Sequence, residues 1–217
     1  MEECLVNYLA HAYRFLDRPL FAAGTALPDW MNVIDRKNRA RRQYAEPILL
    51  DDDASAREFA AGVIQHHDDD FWFHGQECFV QLSTQFAVEL REYLQPGLGH
   101  QAGFVGHISV ELLLDAALIE REPSLVQQYY DMLDSLDAQL VQTAANKILR
   151  KEVDKLVWLI PRFSQERFIA DYVDDARMQY RLGGVMRRVG LPPLPDITQW
   201  LSTARQRVYG NIDLLLP

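Results

Sequence analysis

The amino-acid sequence predicts an all-α protein. Apolar residues in the 217-residue chain recur mostly at intervals of three and four and seldom alternate strictly, a spacing that is typical of helices rather than strands. With 48% hydrophobic residues, the chain can bury an ordinary core. The sequence contains no internal repeat, low-complexity tract or recognisable linker. We therefore expect one helical bundle that forms a single domain over residues 1–217.

Helices are expected over residues 4–16, 20–26, 54–73, 76–94, 100–119, 125–159, 164–188 and 197–208. The first ends before Pro19, because the proline ring disfavours continuation of a helix. The second leads to Pro28, which is expected to end it. The third follows aspartates at 51–53, which supply N-cap oxygens and negative charge where the start of a helix is positive.

Turn-forming residues divide the remaining helices. Pro96 and Gly97 end the fourth helix, and Pro123 ends the fifth. A long heptad-like pattern forms the sixth, which Pro161 interrupts. The stretch at 190–193 contains a glycine and two prolines, so it separates the last two helices.

Histidines and carboxylates are spaced along two of these helices in a way that points to metal binding. Two sets lie at positions i, i+4 and i+8: His66, Asp70 and His74, and His107, Glu111 and Asp115. Residues four apart on a helix are displaced by about 6 Å along the axis and about 40° around it, so two such side chains can meet at one ion. Three cannot easily share one. A fully used set therefore predicts two adjacent sites, or one site with an outer residue acting as a base or substrate contact.

Two facing helices that carry such sets would form a pocket inside a bundle, as in known dinuclear metal centres. Mixed imidazole and carboxylate ligands suit Mn²⁺, Fe²⁺, Co²⁺ or Zn²⁺. The chemistry this predicts is hydrolysis, because a divalent ion lowers the pKa of bound water and a second cation stabilises charge on a phosphoryl group.

Other polar residues nearby have simpler interpretations. The acidic run at 68–70 is typical of a solvated helix face, which is the alternative to a ligand role for Asp70. His67 points about 100° away from His66 on a helix, so its position beside the predicted ligands is incidental. His100 follows a glycine and is expected to cap a helix, and the aromatic residues at 71–73 are expected in the core.

The charge balance argues against a general nucleic-acid binder. Twenty-two basic residues face 31 acidic ones, for a formal net charge of −9, whereas phosphate neutralisation needs clustered Lys and Arg. One basic cluster exists within seven positions: Arg36, Lys37, Arg39, Arg41 and Arg42. It is either a solvated surface or a place that holds an anionic substrate or an acidic protein partner.

Cysteine use and the N-terminal residues favour a reducing cytoplasm. Cys4 and Cys78 are too few for a disulfide framework and lack the spacing of a zinc ribbon. The acidic start of the chain does not resemble a signal or transit peptide. No apolar run approaches the ~20 residues needed to span a bilayer, so we expect a cytoplasmic protein without a membrane partner. The oligomeric state is left open.

Four short blocks of the sequence are similar to one known family. Asn-Tyr-Leu-Ala-His at 7–11 and Gly-Thr-Ala-Leu-Pro-Asp at 24–29 resemble the start of the acyl carrier protein phosphodiesterases. That family opens with Asn-aromatic-Leu-Ala-His and a Gly-containing stretch that ends in Ala-Asp-Phe. The segment 61–70 resembles the family's Ala-Gly segment with its His and a following Asp. The stretch 182–188 is similar to the family's late Leu, Met and Arg pattern.

The resemblance implies an all-helical, HD-domain-like fold related to the HD-type metal phosphohydrolases, with a divalent metal ion, commonly manganese, as cofactor. It also implies hydrolysis of the phosphodiester that joins 4′-phosphopantetheine to a serine of holo-acyl carrier protein. Acyl carrier protein or another phosphate-bearing molecule is then the expected partner. The positions that match the family's motifs are His11, Asp29, His66 and Asp70.

The chain departs from the family pattern at five positions. The family carries a His at the position of Ile64 and an Asp at the position of His74. It has a pair of aspartates followed by a His where this chain has His107, Glu111 and Leu112. These departures keep a second hypothesis open, in which the chain is a catalytically silent helical protein that binds a metal or ligand.

The first hypothesis assigns three sets of residues. The expected metal ligands are His11, Asp29, His66, Asp70, His107 and Glu111. His74 is expected to be a further ligand or the catalytic base. The side chains expected to hold phosphate or an acidic carrier protein are Arg36, Arg39, Arg41, Arg42 and either Arg187 or Arg188.

Overall fold

A computed structural model of the chain describes residues 7–216, and every regular element within that range is helical. The α-helices are α1 (Tyr8–Ala12), α2 (Pro19–Ile34), α3 (Arg42–Ala45), α4 (Ala54–Gly75), α5 (Glu77–Leu90), α6 (Gly99–Arg121), α7 (Ser124–Asp134), α8 (Ala138–Ile148), α9 (Leu156–Glu166), α10 (Asp175–Val189), α11 (Thr198–Gly210) and α12 (Ile212–Leu215). Three short 3₁₀ helices cover Tyr13–Phe15, Glu46–Leu50 and Phe168–Val173. The predicted all-α bundle is confirmed.

The helices form two compact units whose segments alternate along the chain. The first unit comprises Tyr8–Phe71 and Ser124–Phe168. The second unit comprises Trp72–Pro123 and the described residues from Ile169 onwards. Because the segments alternate, no single point in the sequence separates an N-terminal from a C-terminal unit. The single domain over residues 1–217 stays a prediction. An HD-domain-like arrangement of these helices stays a prediction.

In the first unit, glycines let α2 and α4 approach each other closely. A Cβ atom added to Gly24 would lie 2.2 Å from the carbonyl oxygen of Phe59, and one added to Gly62 would lie 2.0 Å from that of Phe21. Both atoms are backbone, so no side-chain rotation relieves the overlap. The short helix α1 is buried along its whole length in the same unit.

In the second unit, α5 and α6 pack along most of their length. A Cβ atom on Gly106 would lie 2.8 Å from the carbonyl oxygen of Ser83, so these helices also approach closely. Buried Arg205 of α11 joins neighbouring helices through Asp175, at 2.6 Å, and Glu120, at 3.5 Å.

Several expected helix boundaries are wrong. The expected helix 164–188 is divided among α9, the 3₁₀ helix Phe168–Val173 and α10. Pro28 lies inside α2 and Pro161 inside α9, because burial of the apolar residues on both sides outweighs the backbone hydrogen bond that each proline removes. The heptad-like stretch 125–159 is broken into separate helices, of which α8 begins where Asp137 accepts hydrogen bonds from two backbone N–H groups. The expected first helix includes residues 4–6, which lie outside the described range.

One described helix, α6, is long and apolar enough to cross a membrane by length and composition alone, in contrast to the sequence expectation. However, 83% of its most apolar window is buried inside the structure. It also carries two buried carboxylates, Glu111 and Asp115. These features are those of the core helix of a soluble protein.

We expect Gly62→Ala to lower the free energy of unfolding by about 1–3 kcal/mol or more, because the added methyl group meets backbone rather than a movable side chain. Urea denaturation of the purified variant measures this. Gly103→Ala is the matched control, since no atom lies within 4 Å of its added Cβ, and it should raise stability by about 0.5–1 kcal/mol. Equal effects of the two variants would contradict the close approach of α2 and α4.

Candidate metal centres

Two groups of side chains bring two imidazoles and one carboxylate together. The His11 group consists of His11, His66 and Asp70, and the His107 group consists of His74, His107 and Glu111. Within each group the possible ligand atoms lie within 4.8 Å of one another. The His11 group belongs to the first unit and the His107 group to the second.

In the His11 group, the carboxylate lies between two imidazole nitrogens. Asp70 places one oxygen 3.4 Å from Nε2 of His11 and the other 3.2 Å from Nε2 of His66. Helix α4 supplies His66 and Asp70 one turn apart, and buried α1 supplies His11. All three residues are buried. The group is therefore shielded from solvent and held by regular structure.

A contact of Nδ1 of His66 decides which nitrogen of this ring can bind a metal ion. Nδ1 of His66 lies 2.8 Å from the backbone carbonyl oxygen of Thr25. A carbonyl can only accept, so Nδ1 carries a proton and Nε2 is the ring nitrogen that faces Asp70. Metal-binding histidines commonly have such an outer acceptor.

Negative charge around His11 is strong enough to change its protonation. Burial lowers the pKa of His11, but the close carboxylates of Asp69 and Asp70 and the charge of Asp29 outweigh it and raise the pKa from 6.5 to about 10. Burial raises the pKa of Asp70, but the neighbouring imidazoles of His66 and His11 outweigh it and hold that pKa well below its usual range. Without a metal ion, the proton on His11 supplies the positive charge that the carboxylates require.

In the His107 group, two imidazoles converge on a single oxygen. Nε2 of His74 and Nε2 of His107 lie 3.1 and 3.0 Å from the same Oε1 of Glu111. The other oxygen of Glu111 is buried without a hydrogen-bond partner among residues 7–216. The ring of Phe79 stands edge-on to both imidazoles, with centroids 4.9 Å apart in each case.

The two groups differ in solvent access. The side chains of His74 and His107 are 18% and 33% exposed, whereas Glu111 is fully buried. Two atoms of the group, Nε2 of His107 and Oε2 of Glu111, are nevertheless buried. The His11 group offers no comparable access, because its three side chains are at most 12% exposed.

The spacing within both groups fits metal coordination. Two nitrogen or oxygen ligands that each lie ~2.1 Å from an ion, at an angle of about 90–110°, are about 3.0–3.4 Å apart. The four N···O distances within the groups are 3.4, 3.2, 3.1 and 3.0 Å. Two imidazoles and one carboxylate occur in catalytic zinc sites and in non-haem Fe(II) sites, where further positions remain for water or substrate. These residues fit a divalent metal ion.

The structure places the remaining predicted ligands differently. Asp29 is buried in the first unit, and its charge acts on His11, but it is not a member of the three-residue group. Its role as a ligand stays a prediction. His74 faces Glu111 through Nε2, which favours the ligand role over that of a free base. His67 and His100 lie outside both groups: Nε2 of His67 contacts the carbonyl oxygen of Ala40 at 2.9 Å, and His100 is exposed.

The predicted basic residues lie at the surface. Arg42 pairs with Glu46 at 2.8 Å and also with Asp68. Arg36, Arg41 and Arg188 are exposed, and Arg39 is half-buried. Their role in binding phosphate or a partner stays a prediction.

The sequence analysis missed Asp69. The acidic run at 68–70 is a solvated face only at Asp68, because Asp69 and Asp70 are both buried. Asp69 bonds to Arg14 and lies beside His11. The i, i+4 spacing of Gln65 and Asp69 was the available signal, since it places an amide donor next to the carboxylate on the helix surface.

We expect the purified protein to bind a transition metal ion and to lose one site in His66→Ala or Asp70→Ala. Removing a ligand should weaken binding by more than the ~10–100-fold that loss of an outer hydrogen-bond partner causes. Elemental analysis after chelation and repletion, with circular dichroism for helix content, measures both. His100→Ala is the control and should bind as the wild type does. A chain that takes up no Mn, Fe, Co or Zn under any condition would exclude both sites.

Comparison with known proteins identifies no relative of this chain. No family model, no curated protein sequence and no solved structure matches it. The resemblance to acyl carrier protein phosphodiesterases therefore rests on the short sequence blocks alone.

Proposed function

We propose that the protein is a metal-dependent phosphoesterase that resembles acyl carrier protein phosphodiesterase. The observation that carries the proposal is the repeated set of two imidazoles and one carboxylate, with N···O distances between 3.0 and 3.4 Å in both groups. Hydrolytic metal enzymes commonly use this ligand set and leave positions open for water and substrate. Manganese is the preferred ion in this proposal, with iron, cobalt or zinc as alternatives.

Chemically, a divalent ion would supply a Lewis acid and a water molecule of lowered pKa for attack on phosphorus. The chain's own residues have separate tasks. Asp70 and Glu111 hold negative charge between pairs of imidazoles, and the Thr25 carbonyl keeps His66 in one tautomer. In this proposal a phosphoester would approach from the side of His74 and His107, whose side chains are partly exposed.

The basic residues at 36–42 support an acidic protein as the substrate carrier. Arg41 and Arg42 are exposed on the first unit, and the surface ion pairs that Arg42 makes are weak enough for another anion to compete. Arg188 is an exposed cation on the second unit. The partner we propose is a cytoplasmic carrier protein that bears a phosphodiester.

A catalytically silent binding protein is the second candidate. The observation that favours it is Leu112, which is buried and apolar at the position where the similar family carries a histidine. Loss of one ligand can leave a group that binds a metal ion without turning over a substrate. Metal binding alone therefore does not distinguish the two candidates, whereas turnover does.

Turnover of a generic phosphodiester provides the first test. In the presence of Mn²⁺ we expect hydrolysis of bis-p-nitrophenyl phosphate, because Lewis-acid catalysis of phosphoryl transfer does not depend on the rest of the substrate. Release of p-nitrophenol measures the rate. Glu111→Gln should reduce the rate strongly, while His100→Ala should leave it unchanged. A metal-loaded protein with no turnover of this ester or of holo-acyl carrier protein would favour the silent binding protein.

Release of phosphopantetheine from holo-acyl carrier protein tests the partner. Neutralising Arg39, Arg41 and Arg42 should reduce carrier-protein turnover at least ~10-fold more than turnover of the small ester, because only the protein substrate is attracted by surface charge. High salt should act in the same direction. Arg162→Ala is the matched control, since Arg162 is also an exposed arginine paired with a glutamate at i+4. Equal losses on both substrates would remove the docking role from the basic cluster.

A further inference from the structure

We propose that Asp69 is a positioning residue that orients the imidazole of His11 toward the metal ion. The inference rests on the metal site of the proposed function, but it concerns a residue that this function does not require by itself. Asp69 is the neighbour of Asp70 on α4 and is buried despite its charge. A buried carboxylate needs partners that account for both of its oxygens.

One oxygen of Asp69 is held by two donors. Oδ1 accepts hydrogen bonds from Nη2 of Arg14 at 2.7 Å and from Nε2 of Gln65 at 2.9 Å. The donors come from different parts of the chain, the 3₁₀ helix Tyr13–Phe15 and α4. Two fixed donors on one oxygen restrict rotation of the carboxylate, so the direction of the second oxygen is also fixed.

The second oxygen faces His11. Oδ2 of Asp69 lies 3.6 Å from Nδ1 of His11, and neither atom has a hydrogen-bond partner among residues 7–216. On the opposite side of the ring, Nε2 of His11 lies 3.4 Å from Asp70. The imidazole therefore sits between carboxylates of consecutive residues, with one nitrogen turned toward each.

His66 shows what this arrangement does in the same group. Its Nε2 faces Asp70 and its Nδ1 bonds to the Thr25 carbonyl. His11 repeats the pattern, with Asp69 in the place of the carbonyl. At 3.6 Å the outer contact is longer than a hydrogen bond, and a shift of ~0.7 Å would close it. Such contacts often tighten only when the site is loaded.

A carboxylate as outer acceptor has a specific effect on a metal-binding imidazole. The carboxylate holds the proton on Nδ1, leaves Nε2 free for the ion and makes the ring a stronger ligand for the metal. Arg14 offsets part of the charge of Asp69, so the carboxylate can stay ionised in a buried position. The neighbouring Asp68 cannot take this role, because it is exposed and pairs with Arg42.

Substitutions at 69 and 68 provide a matched comparison in the full-length protein. The affinity for Mn²⁺ and Co²⁺ would be measured by titration calorimetry, and the visible absorption spectrum of bound Co²⁺ would be recorded. The variants to compare are Asp69→Ala, Asp69→Asn, Asp68→Ala and Asp68→Asn. Asp69→Ala should weaken binding at the His11 group ~10–100-fold. Asp69→Asn keeps the shape and should lose less. Both Asp68 variants should bind within about twofold of the wild type, and only the Asp69 variants should alter the Co²⁺ spectrum.

Two results separate this inference from the proposed function. A wild-type protein that binds no metal ion overturns both. A wild-type protein that binds metal, while the Asp69 and Asp68 variants bind equally well with the wild-type Co²⁺ spectrum, overturns the positioning role and leaves the proposed function standing.

The conservative variant Asp69→Asn serves as the control for loss of folding. If Asp69→Ala does not fold, Asp69→Asn decides the question. Weaker metal binding with wild-type helix content in Asp69→Asn supports the positioning role. Weaker binding that accompanies an equal loss of helix content would assign Asp69 to folding alone and overturn it.

Discussion

The backbones of α2 and α4 meet at Gly24 and Gly62, and the geometry of the His11 group depends on that contact. Thr25 directly follows Gly24, and its carbonyl oxygen accepts the Nδ1 proton of His66, one turn beyond Gly62. A side chain at either glycine would push the helices apart and break this hydrogen bond. Because glycine has no side chain, the two helices come close enough for the Thr25 carbonyl to hold the proton on Nδ1 of His66. Helix packing thus decides which nitrogen of His66 can bind a metal ion.

Buried negative charge is the second constraint on the molecule. Asp69, Asp70 and Glu111 are all buried, and removing an ionised carboxylate from water is strongly unfavourable unless positive charge or hydrogen bonds replace the lost hydration. Asp69 accepts hydrogen bonds from Arg14 and Gln65. Asp70 and Glu111 each contact two imidazoles instead. Imidazoles are neutral or cationic near neutral pH, so they can satisfy these carboxylates as protonated partners and give way to a metal ion.

Local helix geometry explains how much of the sites could be predicted. His66 with Asp70, and His107 with Glu111, were predicted from i, i+4 spacing because that relation holds on any regular helix. The contacts of His74 with Glu111 and of His11 with Asp70 join different helices, so no spacing in the sequence encodes them. Asp69 was misread for the same reason, since its donor Arg14 lies 55 positions away in the chain.

Apolar periodicity predicted that the chain is helical, but it did not predict the breaks within 125–159, and two of the prolines expected as boundaries lie inside helices. Pro28 and Pro161 break a local rule that holds for isolated helices. In the folded chain, buried residues on both sides of each proline, such as Leu27 and Trp30 or Ile160 and Phe163, keep the helix axis continuous. Tertiary packing decides these positions, and it is not visible from the local sequence.

The alternation of the two units along the chain has a consequence for biosynthesis. The first unit needs Ser124–Phe168, and the second needs the residues from Ile169 onwards, so neither is complete when the N-terminal half leaves the ribosome. All six histidines have been synthesised by then. The chain therefore carries both sets of metal-binding side chains for some time before the helices that bury them arrive. Contacts between such distant segments form slowly, and a nascent chain in this state would expose imidazoles and carboxylates to any cation in its surroundings.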